Sequence, residues 1–91
     1  MEFEWDPRKA TINFRKHGVS FAEAGTVFGD DLAITVPDPD HSLDEERFIT
    51  IGWSHQRRLL MVSHTDHGNS VRIISARELT KAERKEYEEA N

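Results

Sequence analysis

RFITIGWSHQRRLLMVSHTDHGNSVRIISA, residues 47–76, carries three strand-like runs joined by two short polar loops. In the first run, 47–53, Ile49, Ile51 and Trp53 alternate with Phe48, Thr50 and Gly52, the two-residue period of a strand. Further runs occupy 58–65 and 71–76, and the loops between them read SHQR and DHGN. Loops of this length suit antiparallel hairpins, because a parallel return needs a crossover of a dozen residues or more. LAITV at 32–36 adds a fourth strand, and the PDPD that follows forces a turn. An antiparallel sheet of about four strands is therefore expected. Its core is expected from Ile49, Ile51, Leu60, Val62 and Ile73, with Phe14, Phe21 and Phe28 contributed by helices.

Those helices are read on the N-terminal side of the sheet. FEW at 3–5 suits a short strand, and Asp6-Pro7 is a helix start with Asp as N-cap and Pro in the first turn. Ala10, Phe14 and His17 fall at helical spacing until Gly18 stops the run. Ser20 to Glu23 has capping-box spacing and opens a second helix to about Phe28, ending at Gly29. After the strands, TKAERKEYEEAN predicts a helix from Thr80 to the end, with only Ala82, Tyr87 and Ala90 to bury. Helices segregated from strands make the fold class α+β, in one domain spanning 1–91.

Composition narrows the function. The chain has no cysteine, which removes disulfides and thiolate metal sites. The five histidines lack ligand spacing such as HExxH, so neither a metal nor a cofactor is expected. No G-x-S-x-G elbow and no glycine-rich phosphate loop occurs. The N-terminus is acidic and aromatic, and no apolar run approaches the ~20 residues of a membrane span, so a cytoplasmic location is expected. A net charge of -5 argues against coating nucleic acid through bulk electrostatics.

Against that acidic background, Arg72, Arg77, Lys81, Arg84 and Lys85 gather on the predicted strand-to-helix junction. A cationic site held against the global charge calls for a local anion, and such a junction can grip phosphate. RNA cleavage without a metal needs three things: removal of the 2'-hydroxyl proton, a cation for the phosphate, and protonation of the leaving 5'-oxygen. Arginine suits the second task, and His, Lys, Glu or Tyr suit the others. Arg72, Arg77, Arg84, Lys16, His17, His64 and Tyr87 supply these types, though none has a diagnostic spacing by itself. Strand alternation would put residues 72 and 77 on opposite faces, so a bulge or turn after Ser75 is required if both meet one ligand.

The motifs FEWD at 3–6, Asn13, KHGVSF at 16–21, Phe28, SLDEERF at 42–48, Gly52, and RIISARELTKAER with Tyr87 together resemble the BrnT family of type II toxins over essentially the whole chain. The resemblance implies a RelE-like fold and a ribonuclease that cuts messenger RNA and halts translation. It also implies a BrnA-like ribbon-helix-helix antitoxin, through which alone operator DNA would be bound. Carried over motif by motif, the catalytic positions are Lys16, His17, Arg72, Arg77, Arg84 and Tyr87. Many relatives carry a tyrosine and an arginine where this chain reads HTDHG at 64–68, so His64 and His67, with Lys81, stand as substrate-binding positions. The competing reading is a non-catalytic module that uses the same basic strip to bind its antitoxin. A DNA-reading helix fits less well, because Glu83, Glu86, Glu88 and Glu89 would face phosphates.

Overall fold

The computed structural model describes residues 1–41 and 45–90. The start of the SLDEERF motif, at 42–44, and the last residue of the expected terminal helix lie outside the described residues. Strand β1 (Glu2–Glu4) leads into helix α1 (Pro7–His17) and helix α2 (Phe21–Thr26), which tightens into a 3₁₀ turn at Val27–Gly29. Strands β2 (Ile34–Pro37), β3 (Phe48–Trp53), β4 (Leu59–His67) and β5 (Ser70–Glu78) follow, and helix α3 (Lys81–Ala90) closes the fold. The caps are those the sequence implies. The Asp6 carboxylate accepts from the Arg8 N–H, the Ser20 hydroxyl accepts from the Glu23 N–H, and Gly18 ends α1 at φ +70° with its N–H on the Phe14 carbonyl.

The sheet order is β1-β5-β4-β3-β2. The four strands of the meander are antiparallel to one another, as expected. The sheet as a whole has five strands and is mixed, because β1 pairs parallel with β5, Glu4 opposite Arg72. A three-residue strand gives too little alternation to fix a direction, so only its partner could assign it. β1 stops at Arg72, and a side chain takes over the exposed edge of β5. The Asn13 amide donates to the Ala76 carbonyl at 2.8 Å, and its oxygen accepts from the Ala76 N–H at 3.1 Å. The same amide nitrogen donates to the Val19 carbonyl at 3.0 Å, which ties the α1–α2 turn to the strand.

The core lies between the sheet and the α1–α2 pair, and contains Val19, Phe21, Ala24, Val27, Leu60, Val62, Val71, Ile73 and Ala76. Leu60, Val62, Ile73 and Phe21 were expected there. Ile49 and Ile51 are not in it: they alternate as predicted but face the other side of the sheet, where they are half-buried. Thr50 and Gly52 face the helices instead. A Cβ at Gly52 would come within 2.9 Å of the Ala33 Cβ and 3.0 Å of the Val27 Cγ1, so the backbone of β3 presses directly on the segment after α2. Phe28 packs on the edge of the core rather than inside it. Phe14 is also displaced, at 57% exposed, because α1 turns its Asn13 face to β5.

Candidate active site

β5 carries an extra residue. Ser63 pairs with Ser75 and His64 with Ile73, so Ile74 is bulged out between them. One inserted residue shifts the alternation by one, which puts Arg72, Ser75 and Arg77 on the same face, away from α1 and α2. Their cross-strand partners on β4 are Thr65, Ser63 and Met61. The odd spacing of 72 and 77 is thus compatible with a shared surface, and the two α-carbons stand about 13 Å apart at ~3.3 Å per residue.

α3 leans over this face. Arg77 forms a two-pronged pair with Glu83, Nη1 to Oε1 at 2.7 Å and Nη2 to Oε2 at 2.9 Å, and its Nη2 also reaches the Met61 sulfur. Glu83 and Thr80 form the reciprocal cap of α3: the Thr80 N–H donates to Oε1 and the Thr80 hydroxyl accepts from the Glu83 N–H. The guanidinium, helped by the Thr80 amide, holds the Glu83 carboxyl down at about 2. Arg84 stacks over the Trp53 ring at 5.0 Å and pairs with Glu88 at 2.7 Å. Tyr87 donates to the Leu32 carbonyl at 3.3 Å, and burial together with the nearby Asp30 carboxylate raises its hydroxyl pKa. Lys81 is exposed at the start of the helix. No residue of α3 is buried, so these rim contacts are what seat it.

At the other end of the same face, His67 accompanies Arg72. Its Nε2 lies 3.2 Å from the Thr65 hydroxyl and 3.2 Å from the Glu45 carboxylate, and Thr65 is the direct partner of Arg72. Glu4, opposite Arg72 on β1, borders the same spot. The Arg72 side chain has neither a hydrogen bond nor an ion pair among the described residues. Glu4 and Glu45 entered the sequence reading only within the FEWD and SLDEERF motifs, because the approach of Glu45 to His67 depends on a loop return and that of Glu4 to Arg72 on a parallel pairing. Glu83 was more legible, since TKAE at 80–83 has capping-box spacing.

Three expected site residues lie elsewhere. His64 is 1% exposed and belongs to the helix side of the sheet, against Phe28 at 4.9 Å between ring centroids. Its nitrogens meet the Thr50 hydroxyl at 2.7 Å and Asp66 at 2.9 Å, and burial lowers its pKa against the pull of that carboxylate. A substrate-binding role is therefore corrected to a core role. The strand period decides this, since 60, 62 and 64 share the core face and 61, 63, 65 and 67 the other. Lys16 and His17 end α1 on the helix side, where no hydrogen bond or ion pair joins them to the arginines. Next to them is a cluster that sequence reading did not assign. Glu23, 2% exposed, accepts from Ser54 and from both forks of Arg58, and Arg58 also donates to the Gly18 carbonyl. These bonds lower the Glu23 pKa against the cost of burial and clamp the β3–β4 turn to the helices. Among the described residues, no group of three or more His, Asp or Glu is placed to hold a metal ion.

A family model described as the ribonuclease toxin BrnT of type II toxin-antitoxin systems matches residues 5–83. The chain belongs to the BrnT family. Among solved structures, the Brucella abortus ribonuclease toxin BrnT is similar, with a TM-score of 0.70 and 25% identity over 89% of this chain and 99% of that one. No curated protein matches. The BrnT match takes in β5 and reaches Glu83, so the bulged strand and the Arg77–Glu83 pair both fall inside it. No helix among the described residues is long and apolar enough to cross a membrane.

Proposed function

We propose that this BrnT protein is a metal-independent endoribonuclease that cuts messenger RNA and is neutralised by a BrnA-like ribbon-helix-helix antitoxin, which also carries the pair to operator DNA. The observation that carries the catalytic reading is the Ile74 bulge, which puts Arg72 and Arg77 on one face. Their separation suits two positions along a single RNA strand. Arg72, whose side chain has no ion pair among the described residues, takes the charge that develops on the phosphate under attack. The 2'-oxygen bonds to phosphorus, the bond to the 5'-oxygen breaks, and a 2',3'-cyclic phosphate and a 5'-hydroxyl result. His67, oriented by Glu45, moves a proton in this exchange. Arg77, Lys81, Arg84 and Tyr87 line the α3 side and hold the flanking nucleotides. Lys16, His17 and His64 are left out because of their place on the helix side.

Cleavage of a labelled single-stranded RNA in EDTA tests the scheme. Arg72→Ala is expected to lower the rate ~10²–10³-fold, by analogy with loss of one oxyanion donor, with the melting temperature nearly unchanged. Full activity in both Arg72→Ala and Arg77→Ala would remove this face from catalysis. A wild-type protein that binds its antitoxin but cuts no RNA would establish the non-catalytic module instead.

A further inference from the structure

α1 is the most concentrated positive charge of an acidic chain: Arg8, Lys9, Arg15 and Lys16 occur in eleven residues with no carboxylate among them. None of the four forms an ion pair among the described residues, whereas Arg58, Arg77 and Arg84 all do. Beside this helix runs an open groove of about 400 Å³ between α1 and α2. Its floor is apolar, built from Trp5, Ala10, Phe14, Phe21 and Ala22, with Arg15 on its rim. Trp5 stands edge-on to Phe21 at 6.0 Å and is 37% exposed, and Phe14 is 57% exposed.

The exposure of Phe14 has a specific origin. Asn13 has to face β5 to complete the strand edge, and a helix that turns residue 13 inward carries residue 14 about 100° away from the sheet. A large aromatic ring left in water at the mouth of an apolar groove marks an interaction surface. The rim decides the partner's charge. Arg8 and Arg15, two turns apart on α1, are uncompensated, so the complementary segment is acidic on its flanks and apolar along its centre.

We propose that the α1–α2 groove docks an acidic amphipathic helix of the antitoxin, with large apolar side chains inserted beside Phe14 and Trp5 and carboxylates against Arg8 and Arg15. This rests on the toxin–antitoxin part of the proposed function. Helix-in-groove recognition anchors apolar side chains at i and i+3/i+4 on one face, which suits a groove walled by α1 from Ala10 to Arg15. Single-stranded RNA fits less well, because a strand-binding channel tracks the phosphates with a row of cations, whereas the lining of this groove is mainly apolar with Arg15 as its charged residue. The groove lies on the opposite side of the sheet from Arg72, so an antitoxin held here needs a second segment to cover the catalytic face.

The test uses the full-length toxin, the full-length antitoxin encoded beside it, and a labelled single-stranded RNA. Affinity for the antitoxin is measured by calorimetry at low and raised salt, and RNA cleavage by the free toxin is scored separately. Phe14→Asp and Arg15→Glu are each expected to weaken antitoxin binding at least tenfold, and Arg15→Glu to flatten its salt dependence. Cleavage by the free toxin should be unchanged. Phe14→Ala serves as a second variant that places no charge on the helix, with a thermal melt to confirm folding. Unchanged antitoxin affinity in Arg15→Glu and Phe14→Ala would overturn the proposal while leaving the nuclease reading intact. Loss of RNA binding with antitoxin affinity retained would also overturn it, by assigning the groove to RNA. A toxin that cuts no RNA but shows the expected losses of affinity would defeat the nuclease reading alone.

Discussion

Replacing Asn13 with Ala removes the side chain that completes the β5 edge, and the cost can be worked from its bonds. The amide makes three, to the Val19 carbonyl, the Ala76 carbonyl and the Ala76 N–H, and the residue is 6% exposed. Each such bond is worth about 1 kcal/mol net, but Ala76 is buried, so its N–H and carbonyl stay unsatisfied at ~1–3 kcal/mol each. A loss of about 3–4 kcal/mol follows, a large part of the ~5–15 kcal/mol that holds a domain of this size. At ~4–8 °C per kcal/mol for a small domain, the melting temperature should fall by roughly 12–32 °C. Urea unfolding of wild type and variant measures the difference directly, and amide exchange at Ala76 reports whether that site is the one released. Asn13→Asp sharpens the test. Its carboxylate still accepts from the Ala76 N–H but presents a second acceptor to two carbonyls, which raises the folded-state pKa of the new group. Stability should then be recovered as pH falls and lost as pH rises through that pKa. A loss below about 1 kcal/mol in Asn13→Ala would refute the account of Asn13 as a substitute strand.

Three further outcomes are expected. Glu83 is held at about 2 by Arg77, so its contribution is complete above the unfolded carboxyl range and is lost as pH falls from about 5 toward 2. Urea midpoints across that window should drop in wild type and drop less in Glu83→Gln; equal slopes would show that the pair is not coupled to folding. Gly52→Ala should cost about 1–3 kcal/mol by overpacking, since the added carbon meets Ala33, Asp30 and Val27 at 2.9–3.0 Å. A neutral Gly52→Ala in the same melts would mean that the segment after α2 gives way freely. Burial lowers the His64 pKa, so folding holds the ring neutral and stability is lost as pH falls below the ordinary imidazole range. An NMR titration of His64 that follows an exposed imidazole would contradict its place in the core.

The sequence by itself determined whatever depends on neighbours a few residues away. Asp6-Pro7, Gly18 and Ser20 placed the first two helices, because caps satisfy local N–H and carbonyl groups. The SHQR and DHGN loops made the meander antiparallel, because their length allows nothing else. The cationic cluster near the C-terminus was also plain in the residues, as were the motifs shared with the BrnT family. Which face of β3 is buried was not: Ile49 and Ile51 are more apolar than Thr50 and Gly52, yet the segment after α2 needs the room that Gly52 leaves, a contact between distant segments. A bulge or a turn was required if Arg72 and Arg77 were to meet one ligand, but that it is a bulge, at Ile74, could be read only from the pairing with Ser63 and His64. The fate of the histidines turned on the same register, with His64 carried into the core and His67 outward to Arg72. Asn13 stood in the sequence only as one of the motif residues, and its role followed from a β1 too short to cover β5. Each of these was decided by tertiary structure for one reason: a strand period fixes which residues share a face, and only the packing of another element says which face water keeps.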